Sequence, residues 1–334
     1  MTPRVLLTGA HGQLGWELQR SRPAHIELHA HDADTLDITD AEAVRAMIEA
    51  VKPTWIINAA AYTAVDKAES DTPAAHAVNA EGPRLLAEAA RAAGARMAQI
   101  STDFVFNGGQ GRPYLPDDAT APLGVYGATK LNGERAVRET LGAHALVLRT
   151  AWVYSTHGHN FVKTMLRLMR ERDQLGVVAD QIGSPTWAHG LAQTLWQAVR
   201  TGLGGVHHWT DAGVASWYDF ACAIHDEARA LGLLERDTAI RPIRTQDYPT
   251  PAARPSYSVL DKTSTWQALS IDAPAHWRTQ LRAMLHDFKE SAYTPTPGGT
   301  SAVHDGAGSR NERKAGVSQP AEGQAGQPSV KEPG

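Results

Sequence analysis

Cysteine is almost missing from this chain. One residue, Cys222, stands in 334, which excludes an intrachain disulfide framework and fits a reducing cytoplasm. Its neighbours, WYDFACAI, mark it as a small buried apolar residue. Long apolar runs are missing too. None approaches the roughly 20 residues a membrane-spanning helix needs. The opening MTPRVLLTGAHG breaks at Gly9 after too few apolar residues for a secretory signal. A strong net charge is lacking: −4 overall gives no electrostatic grip on nucleic acid or anionic lipid. The expected protein is cytoplasmic, with neither nucleic acid nor membrane as partner. The last 44 residues, 291–334, contain no Leu, Ile, Met, Phe or Trp, and Gly and Pro supply 13 of them. Such a segment cannot bury enough apolar surface to offset its ordering entropy, so it is predicted to be a disordered tail without function.

The chain as a whole has the composition of a soluble globule, with 42% hydrophobic and 20% charged residues. Its first half alternates. RVLLT, IELHAH, TWIINAA, RMAQIS and HALVLRT read as strands. Between them, TDAEAVRAMIEAVKP places Val44, Met47, Ile48 and Val51 at helical spacing, and EGPRLLAEAARAAG is a helix closing on Gly94. Apolar strands alternating with helices predict an α/β fold, a Rossmann-type doubly wound parallel sheet covered on both faces. After about residue 150 the rhythm loosens into helices NFVKTMLRLMRER, SWYDFACAIHDEARALG and HWRTQLRAMLHDF, with GVHHWT as a strand. The expected organisation is a dinucleotide-binding domain over 1–150 and a smaller substrate lobe over 151–290, with roughly 187–215 threaded back into the first.

LLTGAHGQLG puts Gly9, Gly12 and Gly15 after a strand and at a helix start. Glycine lets the backbone turn sharply and approach a pyrophosphate, which then faces the helix N-terminus. By itself the spacing also suits a tight turn without a ligand; its place at the first strand–helix junction favours the dinucleotide. Asp32, 17 residues past Gly15 at the end of the second strand, suits ribose hydroxyls and repels a 2′-phosphate; no Lys or Arg lies between Arg22 and Arg45. This predicts that NADH is used at least as well as NADPH, unless Asp32 and Asp34 are solvated loop acids. His25, His29 and His31 alternate along that strand, but no Cys or further His cluster supports a metal site.

VYGATKLNGERAV carries Tyr126 and Lys130 four residues apart, the only such pair in the chain. On a helix both face one way. A lysine beside a phenol lowers its pKa and makes it a usable general acid toward the oxygen of a carbonyl being reduced. Thr102 ends the fourth strand, where ligands bind in an open α/β sheet, and its hydroxyl can orient that oxygen. A dinucleotide turn, a hydroxyl and a Tyr–Lys pair in this order point to carbonyl reduction.

These stretches, with LDITD, IINAAAYTAVDKAE, VNAEG, STDFVFNG, LRTAWVY, DQIGSPTW and YPTPAARPSYSVLD, resemble the extended short-chain dehydrogenase/reductases, and within them the dTDP-4-dehydrorhamnose reductases, over about residues 4–262. The resemblance implies Thr102, Tyr126 and Lys130 as the catalytic set. Gly9, Gly12, Gln13, Leu14 and Gly15 would hold the pyrophosphate, with Asp37 and Ile38 by the adenine. Ala59, Ala60, Ala61 and Tyr62 would line the cofactor. Thr63, Val65, Asp66, Asp103 and Trp152 would border the deoxysugar, with Asn160, the DQIGSPT loop and Arg254 on the nucleotide side. Each has a plainer reading: Trp152 and Tyr154 as core, Asn58 as a brace between strands, Asp66 and Glu69 as a helix start, Arg254 as the partner of a surface carboxylate.

The resemblance also implies hydride transfer from NADPH or NADH to C4 of dTDP-4-dehydro-β-L-rhamnose, a nucleotide sugar, giving dTDP-L-rhamnose for surface polysaccharide. Metal-bridged homodimers occur among such proteins, so Mg2+ is compatible with the resemblance, but no ligand cluster in the sequence places it. One position departs: the family usually has tyrosine after the Thr-Asp pair, and here it is Phe104. Related 4,6-dehydratases carry an Asp-Glu pair after the threonine; Phe104 cannot move protons, which favours reduction. Two alternatives stand beside this, another nucleotide-sugar 4-ketoreductase or epimerase, and a non-catalytic NAD(P)-binding regulatory subunit similar to that of methionine adenosyltransferase.

Overall fold

The structure, a computed structural model, describes residues 2–293 and 330–331. Strand β1 (Arg4–Thr8) is apolar enough to be buried on both faces, with Val5, Leu6 and Leu7 fully enclosed. The chain turns through the glycines into α1 (Gln13–Arg20) and returns as β2 (Glu27–His31). Helix α2 (Ala41–Val51) starts where the Asp40 carboxylate accepts from the Glu42 and Ala43 N–H groups, and it buries Val44, Ile48 and Val51. Next come β3 (Trp55–Asn58) and α3 (Gly82–Ala93), which carries Pro83 in its first turn and ends on Gly94 at φ 67°. Strand β4 (Arg96–Thr102), helix α4 (Val125–Leu141) and strand β5 (Ala145–Thr150) follow.

Beyond β5 lie α5 (Phe161–Glu171), β6 (Gln174–Val178), α6 (Ala188–Thr201), β7 (Gly205–His208), α7 (Trp217–Ala230), β8 (Ala239–Ile243) and α8 (Trp277–Tyr293). Six parallel strands form the main sheet in the order β7-β5-β4-β3-β1-β2. The sixth arrives from more than fifty residues downstream, pairing Val206 with Val147. One face of this sheet packs Leu14, Leu18, Leu191 and Leu195 from α1 and α6; the other packs Ile48, Leu86 and Val137 from α2, α3 and α4. A separate core joins Phe161, Met165, Phe220, Ile224, Leu281 and Met284 around the parallel β6–β8 pair.

Of the segment predicted to be a disordered tail, 294–329 and 332–334 lie outside the described residues. Residues 291–293 continue α8, and Val330–Lys331 pair antiparallel with β6. Among the described residues no helix is long and apolar enough to cross a membrane.

Candidate active site

The glycine turn is built by close approach. Gly9 has φ 74°, and a Cβ there would fall 2.6 Å from the Ala60 nitrogen. At Gly15 a Cβ would meet the Gly9 carbonyl oxygen at 2.1 Å, so α1 can lie on the turn only with glycine at that position. Helix α1 then begins at Gln13 with Gly12 as its N-cap and no side-chain cap. Its first N–H groups have no intrahelical partner, which is the arrangement that suits a pyrophosphate. Gln13, Leu14, Ala59 and Ala61 line one cleft with Thr63, Val65, Thr102, Asp103, Tyr126, Lys130, Trp152, Asn160 and Arg254. Sequence-distant residues named above thus meet at the C-terminal edge of the sheet.

Not all of them reach the cleft. Asp32 ties the end of β2 to the glycine turn, accepting the His11 N–H at 2.6 Å and the Ala33 N–H at 2.8 Å. Asp37 is engaged with the Thr39 backbone N–H and hydroxyl. Ile38 is buried with Ile48 and Leu86 and lies against Gly82. Tyr62 is held through its backbone by the Asn79 carboxamide, at 2.9 Å from its N–H and 3.0 Å from its carbonyl, while its phenol donates to Asp71.

Tyr126 sits in the first turn of α4, whose N-terminus is held by Glu69: the carboxylate accepts the Val125 N–H at 2.8 Å. The helix can lie so close because Gly127 faces the Phe104 carbonyl; a Cβ there would be 2.2 Å from that oxygen. The Phe104 ring meets Tyr126 edge-on, with centroids 5.6 Å apart. Thr102 lines the cleft beside the Tyr126 phenol, and its hydroxyl donates to an Asp103 oxygen at 3.1 Å. Asp103 is 2% exposed, and burial pushes its carboxyl up to about 6 despite Ser258 and Thr102.

The expectation that Lys130 lowers the phenol pKa is not met. Burial pushes Tyr126 up to about 12, with the Asp103 charge adding to it and the Thr102 hydroxyl opposing. The Lys130 ammonium is aimed elsewhere: it donates to the Ile100 carbonyl at 2.7 Å, and burial lowers its own pKa to about 8. With the ammonium held at the Ile100 carbonyl, its charge does not outweigh burial, and the phenol stays above its ordinary value.

On the far side of the cleft, Trp152 has φ 49°, a left-handed backbone rare for a bulky residue and costing about 1–3 kcal/mol. The cost is borne by stacking: its indole lies 3.4 Å from that of Trp217 with planes 7° apart. Gly183, in the DQIGSPTW stretch, is the floor beneath it, since a Cβ would come within 2.5 Å of the Trp152 ring. Asn160 is 3% exposed. It caps α5 by accepting the Lys163 N–H at 3.1 Å and donates to Gln13 Oε1 at 3.0 Å. Arg254 pairs with Asp66 at 2.8 Å, so two residues expected on opposite sides of the substrate engage each other directly.

Sequence reading missed several supports. Ser258, His159, Phe161 and Trp217 also line the cleft, beside Gln181 of the DQIGSPT loop named above. Asn58 is the brace read above: Thr8 donates to its Oδ1 at 2.6 Å and its Nδ2 donates to Gln99 at 2.8 Å, joining β1, β3 and β4. Its partners stand about fifty and forty residues away in sequence, which no local signal reveals. Among the described residues no group of three or more His, Cys, Asp or Glu could hold a metal ion.

Comparison with known proteins gives the family of the chain. The RmlD substrate binding domain family matches residues 3–290. The chain is 45% identical over 287 residues to a dTDP-4-dehydrorhamnose reductase of Aggregatibacter actinomycetemcomitans, covering 84% of this chain and 97% of that one. It is 41% identical over 302 residues to a probable dTDP-4,6-dihydroxy-2-methyloxan-3-one 4-ketoreductase of Streptomyces antibioticus, covering 89% of this chain and 100% of that one. Among solved structures it resembles a dTDP-4-dehydrorhamnose reductase from Bacillus anthracis in complex with NADP. The TM-score is 0.81 with 36% identity, covering 86% of this chain and 100% of that one.

Proposed function

This chain belongs to the RmlD substrate binding domain family and is an NAD(P)H-dependent oxidoreductase of the dTDP-4-dehydrorhamnose reductase type, and from that we propose that it reduces C4 of dTDP-4-dehydro-β-L-rhamnose to give dTDP-L-rhamnose. The bound dinucleotide supplies the hydride. The glycine turn and the first N–H groups of α1 suit its pyrophosphate, and glycine at 9 and 15 is what lets that turn close, since a side chain at either would strike the Ala59–Ala60 backbone or the Gly9 carbonyl. Tyr126 delivers the proton: as the carbonyl carbon takes the hydride, the phenol O–H breaks and the proton passes to the oxygen, completing the hydroxyl. Thr102 holds the same oxygen in place. Lys130, held by the Ile100 carbonyl, keeps a positive charge beneath the site and favours the phenolate left behind.

The observation that carries this reading is that Thr102 at the end of β4 and Tyr126 at the start of α4 line one cleft with Gln13 and Leu14 of the dinucleotide turn. Trp152, stacked on Trp217, offers an apolar face to a deoxysugar. A second sugar deserves the same assay, because the Streptomyces antibioticus relative is named for a different ketone at similar identity. The test is loss of absorbance at 340 nm with a panel of dTDP-linked 4-keto sugars and either cofactor. Turnover of the rhamnose precursor at least about tenfold above the others supports the proposal. Turnover of none, with a tightly bound dinucleotide, favours the regulatory-subunit alternative.

A further inference from the structure

The end of β2 holds an acid and an imidazole together. Asp32 Oδ2 accepts the His11 backbone N–H at 2.6 Å. The His11 ring stands over the same oxygen, with Nδ1 3.8 Å away, and its side chain is 75% exposed against 25% for Asp32. From the other side, the His11 carbonyl meets His157 Nε2 at 3.0 Å, and the His157 ring stacks on Trp16 with planes 4° apart. The backbone of His11 is therefore fixed while its ring is open to solvent. Among the described residues no hydrogen bond occupies its Nε2.

In a strand–helix–strand dinucleotide site, the acid at the end of the second strand marks the adenosine ribose. Such an acid binds a 2′-hydroxyl and repels a 2′-phosphate, and a cofactor carrying that phosphate needs a cation beside it. Here Asp34 adds a second acid, and no Lys or Arg occurs between Arg22 and Arg45. His11 is the group the fold places against the Asp32 carboxylate that can carry positive charge. It enters from the glycine turn, not from the β2 loop where such a cation is usually sought.

We propose that His11 admits the 2′-phosphate of NADPH. Its Nδ1 faces Asp32 and offsets the carboxylate, while Nε2–H is left to donate to the phosphate. With NADH the ribose hydroxyl takes the remaining lone pairs of Asp32, so one site serves both cofactors. This inference rests on the dinucleotide reading given under Proposed function.

The experiment is equilibrium titration of the full chain with NADPH and with NADH, read by nicotinamide fluorescence, for the unaltered protein, His11→Ala and His11→Arg. The imidazole is exposed and the backbone N–H that Asp32 accepts survives both substitutions, so the fold is kept. His11→Ala is expected to weaken NADPH about fivefold or more and NADH less than about twofold, the scale of one partly exposed charge-assisted contact. His11→Arg is expected to shift selectivity toward NADPH. An equal change for both cofactors in His11→Ala, or none for either, overturns the assignment while leaving the dinucleotide reading intact. If the unaltered protein binds neither cofactor, it is the dinucleotide reading that fails, and this inference fails with it.

Discussion

The ammonium of Lys130 is bound to the carbonyl oxygen of Ile100 at 2.7 Å, in a position only 3% exposed. Burial lowers its pKa to about 8, with the Glu134 charge opposing. The sign follows directly: the group is charged below about 8 and loses its proton as pH rises through that value. Its help to the phenolate is lost in the same window. The pH profile of kcat/KM is expected to fall above about 8. A profile flat to pH 10 would show that Lys130 does not act as a cation in the free enzyme.

Tyr126→Phe is expected to lower kcat by about 10²- to 10⁴-fold, the range for a positioned general acid. Dinucleotide affinity should stay within about twofold, because the phenol acts on the reacting oxygen and not on the pyrophosphate. Steady-state kinetics together with a fluorescence titration separate the two. Near-normal turnover in this variant would place the proton donor elsewhere.

Helix α4 is anchored by a buried ion pair. Arg149 of β5 meets Glu134 twice, at 2.7 and 2.9 Å, and both side chains are almost fully enclosed. Tyr126, Lys130 and Glu134 are spaced by four, so the anchor lies on the face that carries the chemistry. Arg149→Met strands a buried carboxylate and is expected to cost about 3–5 kcal/mol in urea unfolding. The double variant with Glu134→Leu should recover much of that loss, since removing both charges is far cheaper than removing one.

At Gly15 the expectation is sharper. Alanine would place a carbon 2.1 Å from the Gly9 carbonyl oxygen, backbone against backbone. Gly15→Ala should abolish measurable binding of either dinucleotide and lower the melting temperature. Gly94→Ala serves as the contrast: nothing lies within 4 Å of a Cβ there, so only the strain of φ 67° is felt. Its melting temperature should fall modestly and its cofactor affinity should not change.

Much of this site is legible in the sequence because its signals are local. A glycine turn between an apolar strand and a helix, or a tyrosine and lysine one turn apart, needs only a few neighbouring residues to be recognised. What escapes is set by distance and by burial. Asn79 pins Tyr62 from 17 residues away, and Asp66 takes Arg254 across 188. The spacing of Tyr126 and Lys130 does show that they share a face. It does not show that the ammonium points to Ile100 or that the phenol is buried, and burial raises the phenol pKa where proximity alone suggests a fall.

The strand Gly205–His208 closes the main sheet by pairing with β5. A fragment expressed as residues 1–150 would consequently end with β5 as a bare hydrogen-bonding edge carrying Ala145, Leu146, Val147 and Leu148, all buried in the intact chain. Such an edge recruits other strands, and inclusion bodies are the expected yield. The half proposed to bind the dinucleotide is not expected to be a detachable cassette, and a graft or chimaera that borrows it has to carry the returning strand as well.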